Sequence, residues 1–215
     1  DFPQKLADTT GHEVLVYSRY GYGNSESAKG FAFRYMHDEG LLALPELLNL
    51  LNIEHPILMG HSDGASIALI ATGGSDIKPK AVIVMAPHVL VEPICFNAIE
   101  QASQIYKTTD LKDKLGKHHA DVDSAFLGWS GAWLSDEFKD WNIEEYLPSI
   151  KCPILTIQGY EDEYGTMKQL DTIANKASNA NIIETLRINN CRHSPHKDQP
   201  ETVLTAINSF IKNKV

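Results

Sequence analysis

Short runs of aliphatic and β-branched residues alternate with helical stretches along this chain, and that alternation limits its fold more than any other feature. The runs are EVLVYS (13–18), PILMG (56–60), KAVIVMAP (80–87), PILTIQG (153–159) and NIIETLRI (181–188), each bounded by Gly, Pro, Asn or a charge. They have the length and composition of strands, and the first four read as strands of a parallel sheet buried on both faces. Helical spacing lies between them. Leu41, Leu44, Leu48 and Leu51 share one face, Ile67 to Ala71 continue a second helix, and Val203, Ile207 and Ile211 mark a third. Strand, helix and strand in series imply right-handed crossovers and an α/β fold, a mostly parallel sheet flanked by helices. Pro45 interrupts the first helical stretch, which predicts a kink or break near Leu41.

One interval departs from the rhythm. Between Val89 and Ile150 no run reads as a strand, whereas FNAIEQASQIYKTT and SAFLGWSGAWLSDEF read as helices. A structureless loop of that length is unusual in a compact domain, so the interval is read as a helical cap insertion. The domain organisation expected is core 1–88, cap 89–150 and core 151–215. A chain of 215 residues, 43% hydrophobic, can bury a core of that kind.

Charge and cysteine usage narrow the function classes. The 19 Lys and Arg face 28 Asp and Glu, a net charge of -9, and no basic cluster is long enough to follow a phosphate backbone, which argues against nucleic acid as a partner. Cys95, Cys152 and Cys191 are odd in number and lack CxxC spacing, which suits a reducing, cytoplasmic setting better than a disulfide framework or a zinc site. No apolar stretch reaches the ~18 residues of a membrane span. The partners left open are a small-molecule substrate and further copies of the same chain, and neither a metal nor a cofactor is called for.

GHSDG, Gly60 to Gly64, joins the second apolar run to a helix. That setting turns the weak pattern G-x-S-x-G into a nucleophile elbow, in which the serine sits in a strained conformation and both glycines leave room for neighbouring chain. The alternative is a serine acting as an ordinary helix N-cap. Two further stretches bear on the choice. ILTIQGYEDEYGT places three acids after a strand. NNCRHSPHKDQPE places His193 and His196 after the last strand, ahead of a helix whose start is marked by Asp198 and Glu201 at capping-box spacing. Serine, acid and histidine thus each follow the carboxyl end of a strand, where open α/β sheets build their sites.

With YSRYGYGNS (17–25), MGHSDGA, IKCPILTIQGYEDEYGT and CRHSPHKDQPE in this order, the chain resembles the α/β-hydrolases, in particular the esterase and meta-cleavage-product hydrolase group. The resemblance implies Ser62 as nucleophile, Asp162 as acid, His193 as base and the backbone N–H of Asp63 as an oxyanion donor. Its G-x-x-D spacing from Gly159 selects Asp162, leaving Glu161 and Glu163 as solvated loop charges. His196 is the alternative base and Glu92 the alternative acid. His61 and His88 are placed in the substrate pocket wall, with Trp129 and Trp133 as the inner stripe of the cap, while HHADVD (118–123) is a solvated helix end rather than a metal site. Where relatives usually carry glycine before the histidine, this chain has Arg192.

The resemblance also places a strand and an oxyanion loop upstream of the helix that ends near Ala7. In relatives that strand lies between the runs at 13–18 and 56–60. Three outcomes are expected here: a gap, direct pairing of those runs, or a strand supplied by another polypeptide. Each bears on activity, because an oxyanion donor is worth ~10²–10³ in kcat. The reaction expected is hydrolysis of a small carboxylic ester or related acyl substrate. Carbon–carbon bond hydrolysis of aromatic meta-cleavage products, or ligand binding without turnover, are the alternatives. A neutral imidazole base, with an ordinary pKa of ~6.5, implies that kcat/KM falls as pH drops through roughly 6 to 7, and flat activity down to about pH 5 would point to a carboxylate base instead.

Overall fold

Four of the five aliphatic runs are strands: β1 (Ile57–His61), β2 (Ala81–Met85), β3 (Ile154–Gly159) and β4 (Ile183–Ile188). The structure is a computed structural model that describes residues 2–28 and 31–215. The sheet order is β1-β2-β3-β4, all neighbours parallel, with Gly60 opposite Val84, Met85 opposite Ile157 and Gly159 opposite Ile188. Helix α4 (Asp63–Gly74) connects β1 to β2, and α8 (Lys168–Lys176) connects β3 to β4. The remaining helices are α1 (Phe2–Thr10), α2 (Tyr35–Asp38), α3 (Leu44–Leu50), α5 (Pro93–Thr108), α6 (Leu111–Leu115), α7 (Val122–Trp133), α9 (Pro195–Asp198) and α10 (Pro200–Lys214).

The chain divides into two compact units. The first holds the sheet and comprises Asp1–Val14, Met36–Leu90 and Asn142–Val215, and the second comprises Leu15–Tyr35 and Val91–Trp141. In the first unit β2 and β3 are buried along their whole length, as continuous apolar strands should be. Ile83, Met85, Leu155 and Ile157 join Val203, Leu204, Ile207 and Phe210 of α10 and Leu6 of α1 in one core. β1 is an edge strand, half-buried except at Leu58, so the expectation of two buried faces fails there. Gln169 of α8 is fully buried and fixes the chain leaving β2: its Oε1 accepts from the N–H groups of Val89 (2.8 Å) and Leu90 (3.4 Å), and its Nε2 donates to the Leu90 carbonyl (3.0 Å).

The run at 13–18 is not a strand. It forms no ladder, and Val14, Leu15, Val16 and Tyr17 are exposed. β-propensity marks residues that fit a pleated surface, and a strand exists only where another backbone pairs with it. The direct pairing with β1 is therefore not present. Pro45 acts as expected, with a more specific outcome. Lacking an N–H to return to Leu41, it stands in the first turn of α3, directly after a π turn over Glu39–Ala43. Leu44 and Leu48 are buried, but Leu51, at the end of α3, is exposed.

The second unit is helical and aromatic. Trp133, Phe138 and Trp141 are fully buried, with Phe138 stacked on Trp141 at 5.4 Å between centroids and tilted against Trp133 at 4.6 Å, and the Trp133 indole donates to the Tyr35 hydroxyl (2.9 Å). In the HHADVD run, Asp121 caps α7 by accepting from Ser124 N (2.9 Å), His119 Nδ1 accepts from Gly23 N (3.0 Å), and Asp123 pairs with Lys112 and the Tyr106 hydroxyl. Among the described residues, no three His, Cys, Asp or Glu side chains form a group that could hold a metal, and no helix is long and apolar enough to cross a membrane.

The turn from β1 into α4 separates the two glycines of GHSDG. A Cβ on Gly60 would lie 2.1 Å from the Gly64 carbonyl oxygen, whereas a Cβ on Gly64 would meet nothing within 4 Å. Only Gly60 is sterically required, a correction to the symmetrical expectation. Gly60→Ala should therefore abolish soluble expression or lower Tm sharply. Gly64→Ala, in the first turn of a helix, should leave stability unchanged or raise it by up to about 1 kcal/mol. Thermal denaturation of the two variants checks this, and equal losses would contradict it.

Candidate active site

Ser62 stands between the last residue of β1 and the first of α4 with φ +55° and ψ −125°, a conformation rare for a residue with a Cβ and one that stores strain. Its N–H donates to the Met85 carbonyl (2.9 Å) of the neighbouring strand, and its carbonyl accepts from Ala65 (2.8 Å) and Ser66 (3.2 Å). The backbone is thus held from both sides. The side chain makes no capping bond to the helix, which excludes the ordinary N-cap role. Its Oγ lies instead 2.9 Å from His193 Nε2. The N–H groups of Asp63 and Gly64 open the first turn of α4, where no intrahelical acceptor exists and the helix end favours negative charge.

Asp162 follows β3, and its side chain is almost wholly buried. Oδ1 accepts from His193 Nδ1 (2.8 Å) and from Tyr164 N (2.9 Å), and Oδ2 accepts from Gln158 Nε2 (3.1 Å). Burial alone would raise this carboxyl's pKa. The hydrogen bond and charge of His193 and the Tyr164 N–H outweigh it and hold the group below its ordinary value. Because a carboxylate only accepts, Nδ1 carries the imidazole proton, and Nε2 is free to accept from the serine hydroxyl.

The neighbouring acids are not solvated loop charges, as the sequence suggested. Glu161 Oε2 accepts from Cys191 N (2.9 Å), Glu163 Oε2 accepts from His193 N (3.3 Å), and Glu163 Oε1 pairs with Arg192 Nη2 (3.0 Å). Arg192 is thus part of the attachment. Asp198 also differs from expectation. Rather than capping the last helix, it ends α9 and accepts from Arg192 N (2.8 Å), while α10 starts after Gln199 without a side-chain cap.

Three more imidazoles surround His193. His61 Nε2 donates to the His193 carbonyl (2.7 Å), and its ring stands 5.0 Å from that of His193 and 4.7 Å from that of His196. His196 also packs edge-on against Phe2 at 5.6 Å. His88 is buried, its ring 5.9 Å from His193, and its backbone is bridged by the Ser66 hydroxyl, which donates to the His88 carbonyl (2.7 Å). Burial, reinforced by the charge of His193, pushes both His61 and His88 down to about 3, so each is neutral at neutral pH. Of the residues singled out from sequence, Ser62, Asp63, Asp162, His193, His61 and His88 belong to the first unit. Glu92, Trp129 and Trp133 belong to the second, where Trp133 is part of the aromatic core and Trp129 is half-buried against Phe126. Gln158, Glu161 and Glu163 are the functional contacts that sequence reasoning missed. The available signal was a polar residue inside an apolar strand and acids on both sides of the candidate.

The alpha/beta hydrolase family matches residues 1–206, and the chain belongs to that family. Its fold is similar to the crystal structure of VinJ (TM-score 0.73, 17% identity, 98% of this chain and 84% of that one). It is also similar to a hydrolase from Pseudomonas aeruginosa PA01 (TM-score 0.70, 17% identity, 97% and 83%) and to the enol-lactonase from Burkholderia xenovorans LB400 (TM-score 0.68, 16% identity, 97% and 86%). No curated protein matches the sequence.

The buried imidazoles give stability a defined pH dependence. In the folded chain His61 and His88 stay neutral down to about pH 3, whereas in the unfolded chain they take up protons below ~6.5. Their folded values lie below the unfolded ones, so stability falls as pH drops from 6.5, by up to about 1.4 kcal/mol per pH unit for each group. The depressed carboxyl of Asp162 adds its own loss only at lower pH, as its folded value is crossed. Urea unfolding between pH 7 and 5 should report proton uptake, and His88→Gln should reduce that uptake by about one proton. Stability independent of pH over this range would contradict the burial of these groups.

Proposed function

We propose that this member of the alpha/beta hydrolase family hydrolyses a small carboxylic ester or a related acyl substrate through Ser62, His193 and Asp162. The observation that carries the reading is the unbroken chain from Ser62 Oγ to His193 Nε2 (2.9 Å) and from His193 Nδ1 to Asp162 Oδ1 (2.8 Å), set at a serine with positive φ. Three groups in these roles need not meet for any structural reason. The proposed preference for an ester draws support from an enol-lactonase among the similar folds.

In this mechanism Ser62 Oγ attacks the carbonyl carbon while Nε2 takes its proton, and Asp162 stabilises the imidazolium formed. The oxyanion lies toward the Asp63 N–H at the head of α4. When the tetrahedral intermediate collapses, the bond to the leaving oxygen breaks and that oxygen receives the proton from Nε2. Water then repeats the sequence on the acyl-serine, giving the free acid and regenerating Ser62. A small acyl compound is the partner this chemistry requires.

A fluorophosphonate probe should label Ser62, located by peptide mass spectrometry. Ser62→Ala should lose the label and reduce p-nitrophenyl acetate turnover by at least ~10³-fold, and Asp162→Asn, which reverses the imidazole tautomer, by ~10⁴-fold. A label on another residue, or unchanged turnover in Ser62→Ala, would overturn the assignment. Faster cleavage of a vinylogous diketone than of any ester would move the substrate class to carbon–carbon bonds.

A further inference from the structure

β3 is buried along its whole length, and only two of its side chains other than glycine are polar. Thr156 is satisfied within the sheet by Thr185 Oγ1 (3.1 Å). Gln158 is fully buried and turns its amide toward the acid loop instead, where Nε2 donates to the Gly165 carbonyl (2.7 Å) and to Asp162 Oδ2 (3.1 Å), with the Thr166 carbonyl at 3.3 Å. Its Oε1 is buried and has no hydrogen-bond partner among the described residues. Every neighbour of Nε2 is an acceptor, so an inverted amide would set oxygen against two carbonyls and a carboxylate. The orientation is fixed by chemistry. An orphaned buried carbonyl costs about 1–3 kcal/mol, which an apolar residue of the same shape would avoid.

We propose that Gln158 is a positioning residue for the acid: its amide N–H holds Asp162 Oδ2, so that Oδ1 stays on His193 Nδ1. The inference rests on the triad reading above. A carboxylate can exchange its two oxygens by rotation about Cβ–Cγ, and it can tilt away from the imidazole. The anchored Oδ2 opposes both motions. The same Nε2 ties the acid to the loop carbonyls at 165 and 166, so acid and loop move as one. The ionisable groups that face this point come from three loops: Asp162 and Tyr164 after β3, His88 after β2, which borders Gly165 alongside Gln158, and His193 after β4. His88 is neutral in the fold and offers Asp162 no competing full charge.

The test compares Gln158→Met, which keeps length and loses the donor, with Gln158→Glu, which keeps the shape and, while protonated, one O–H donor. Both are measured on the full chain beside wild type and Ser62→Ala. Gln158→Met should lower kcat by about 10–100-fold with KM changed less than about 2-fold, since a small misplacement of a catalytic group has effects of that size. Gln158→Glu should retain most of kcat at low pH and lose it as the glutamate ionises beside Asp162, adding a fall toward high pH that wild type and Gln158→Met lack. If Ser62→Ala is inactive while Gln158→Met keeps kcat within about 2-fold of wild type, the inference is overturned and the triad stands. A lowered Tm with unchanged kcat overturns it equally, since that result assigns Gln158 to the loop alone. Full activity in Ser62→Ala overturns the triad, and this inference with it. Should Gln158→Met fail to fold, Gln158→Glu decides: a pH profile superimposable on that of wild type refutes the proposal, and the added limb supports it.

Discussion

The attachment of the loop after β4 to the loop after β3 is the constraint on which the site depends. It begins in the sheet, where Gly159 faces Ile188 across a parallel pair, and continues past the strand ends as Tyr160 N donates to the Ile188 carbonyl (2.9 Å) and Glu161 N to that of Cys191 (3.1 Å). Such an approach is open only to glycine at 159, because a Cβ there would stand 1.9 Å from the Cys191 carbonyl oxygen. Three consecutive acids then grip the opposite loop: Glu161 holds Cys191 N, Asp162 the imidazole of His193, and Glu163 both His193 N and the Arg192 side chain. Backbone and ring of His193 are thus bound by adjacent residues of one segment. The distance from Nδ1 to the carboxylate is therefore set by local geometry rather than by long-range packing.

Electrostatics around His193 are arranged by desolvation more than by charge pairing. His61 and His88 are buried beside His193, and both are held neutral, chiefly by the cost of charging an imidazole out of water. Neutral neighbours matter here. A second imidazolium within 5–6 Å would oppose any positive charge on the His193 ring. With both neutral, the full charge hydrogen-bonded to the His193 ring is that of Asp162. His61 adds a directional contact, donating Nε2–H to the His193 carbonyl, which fixes its own tautomer as well.

Much of the first unit was legible in the sequence because its signals are local. Apolar runs with turn residues at both ends marked four strands and their parallel arrangement, and the order serine, acid, histidine, each after a strand, placed three residues that do meet. What was not legible depends on partners distant along the chain. The run at 13–18 has strand-like composition, yet a strand needs a second backbone, and composition carries no information about that. Asp198 and Glu201 have capping-box spacing, but Asp198 is taken by Arg192 N, a closer claim than the helix end. Gly64 has the position that the motif assigns and none of the crowding. Glu161 and Glu163 look like any exposed loop acids until the loop after β4 is laid against them.

Three polar residues buried in the first unit share a common logic. Ser66 of α4 bridges the backbone of His88, Gln169 of α8 clasps Val89 and Leu90, and Gln158 of β3 reaches Asp162, Gly165 and Thr166. Each belongs to a regular element, and each directs these hydrogen bonds to a loop at the carboxyl end of the sheet rather than within its own element. An apolar side chain at any of these positions would satisfy the core and leave the loop unanchored. Loops that carry reactive groups cannot be fixed by burying apolar surface alone, since their backbone polar groups still need partners. In this chain all three lead to the segments that bear His88, Asp162 and the residues beside them.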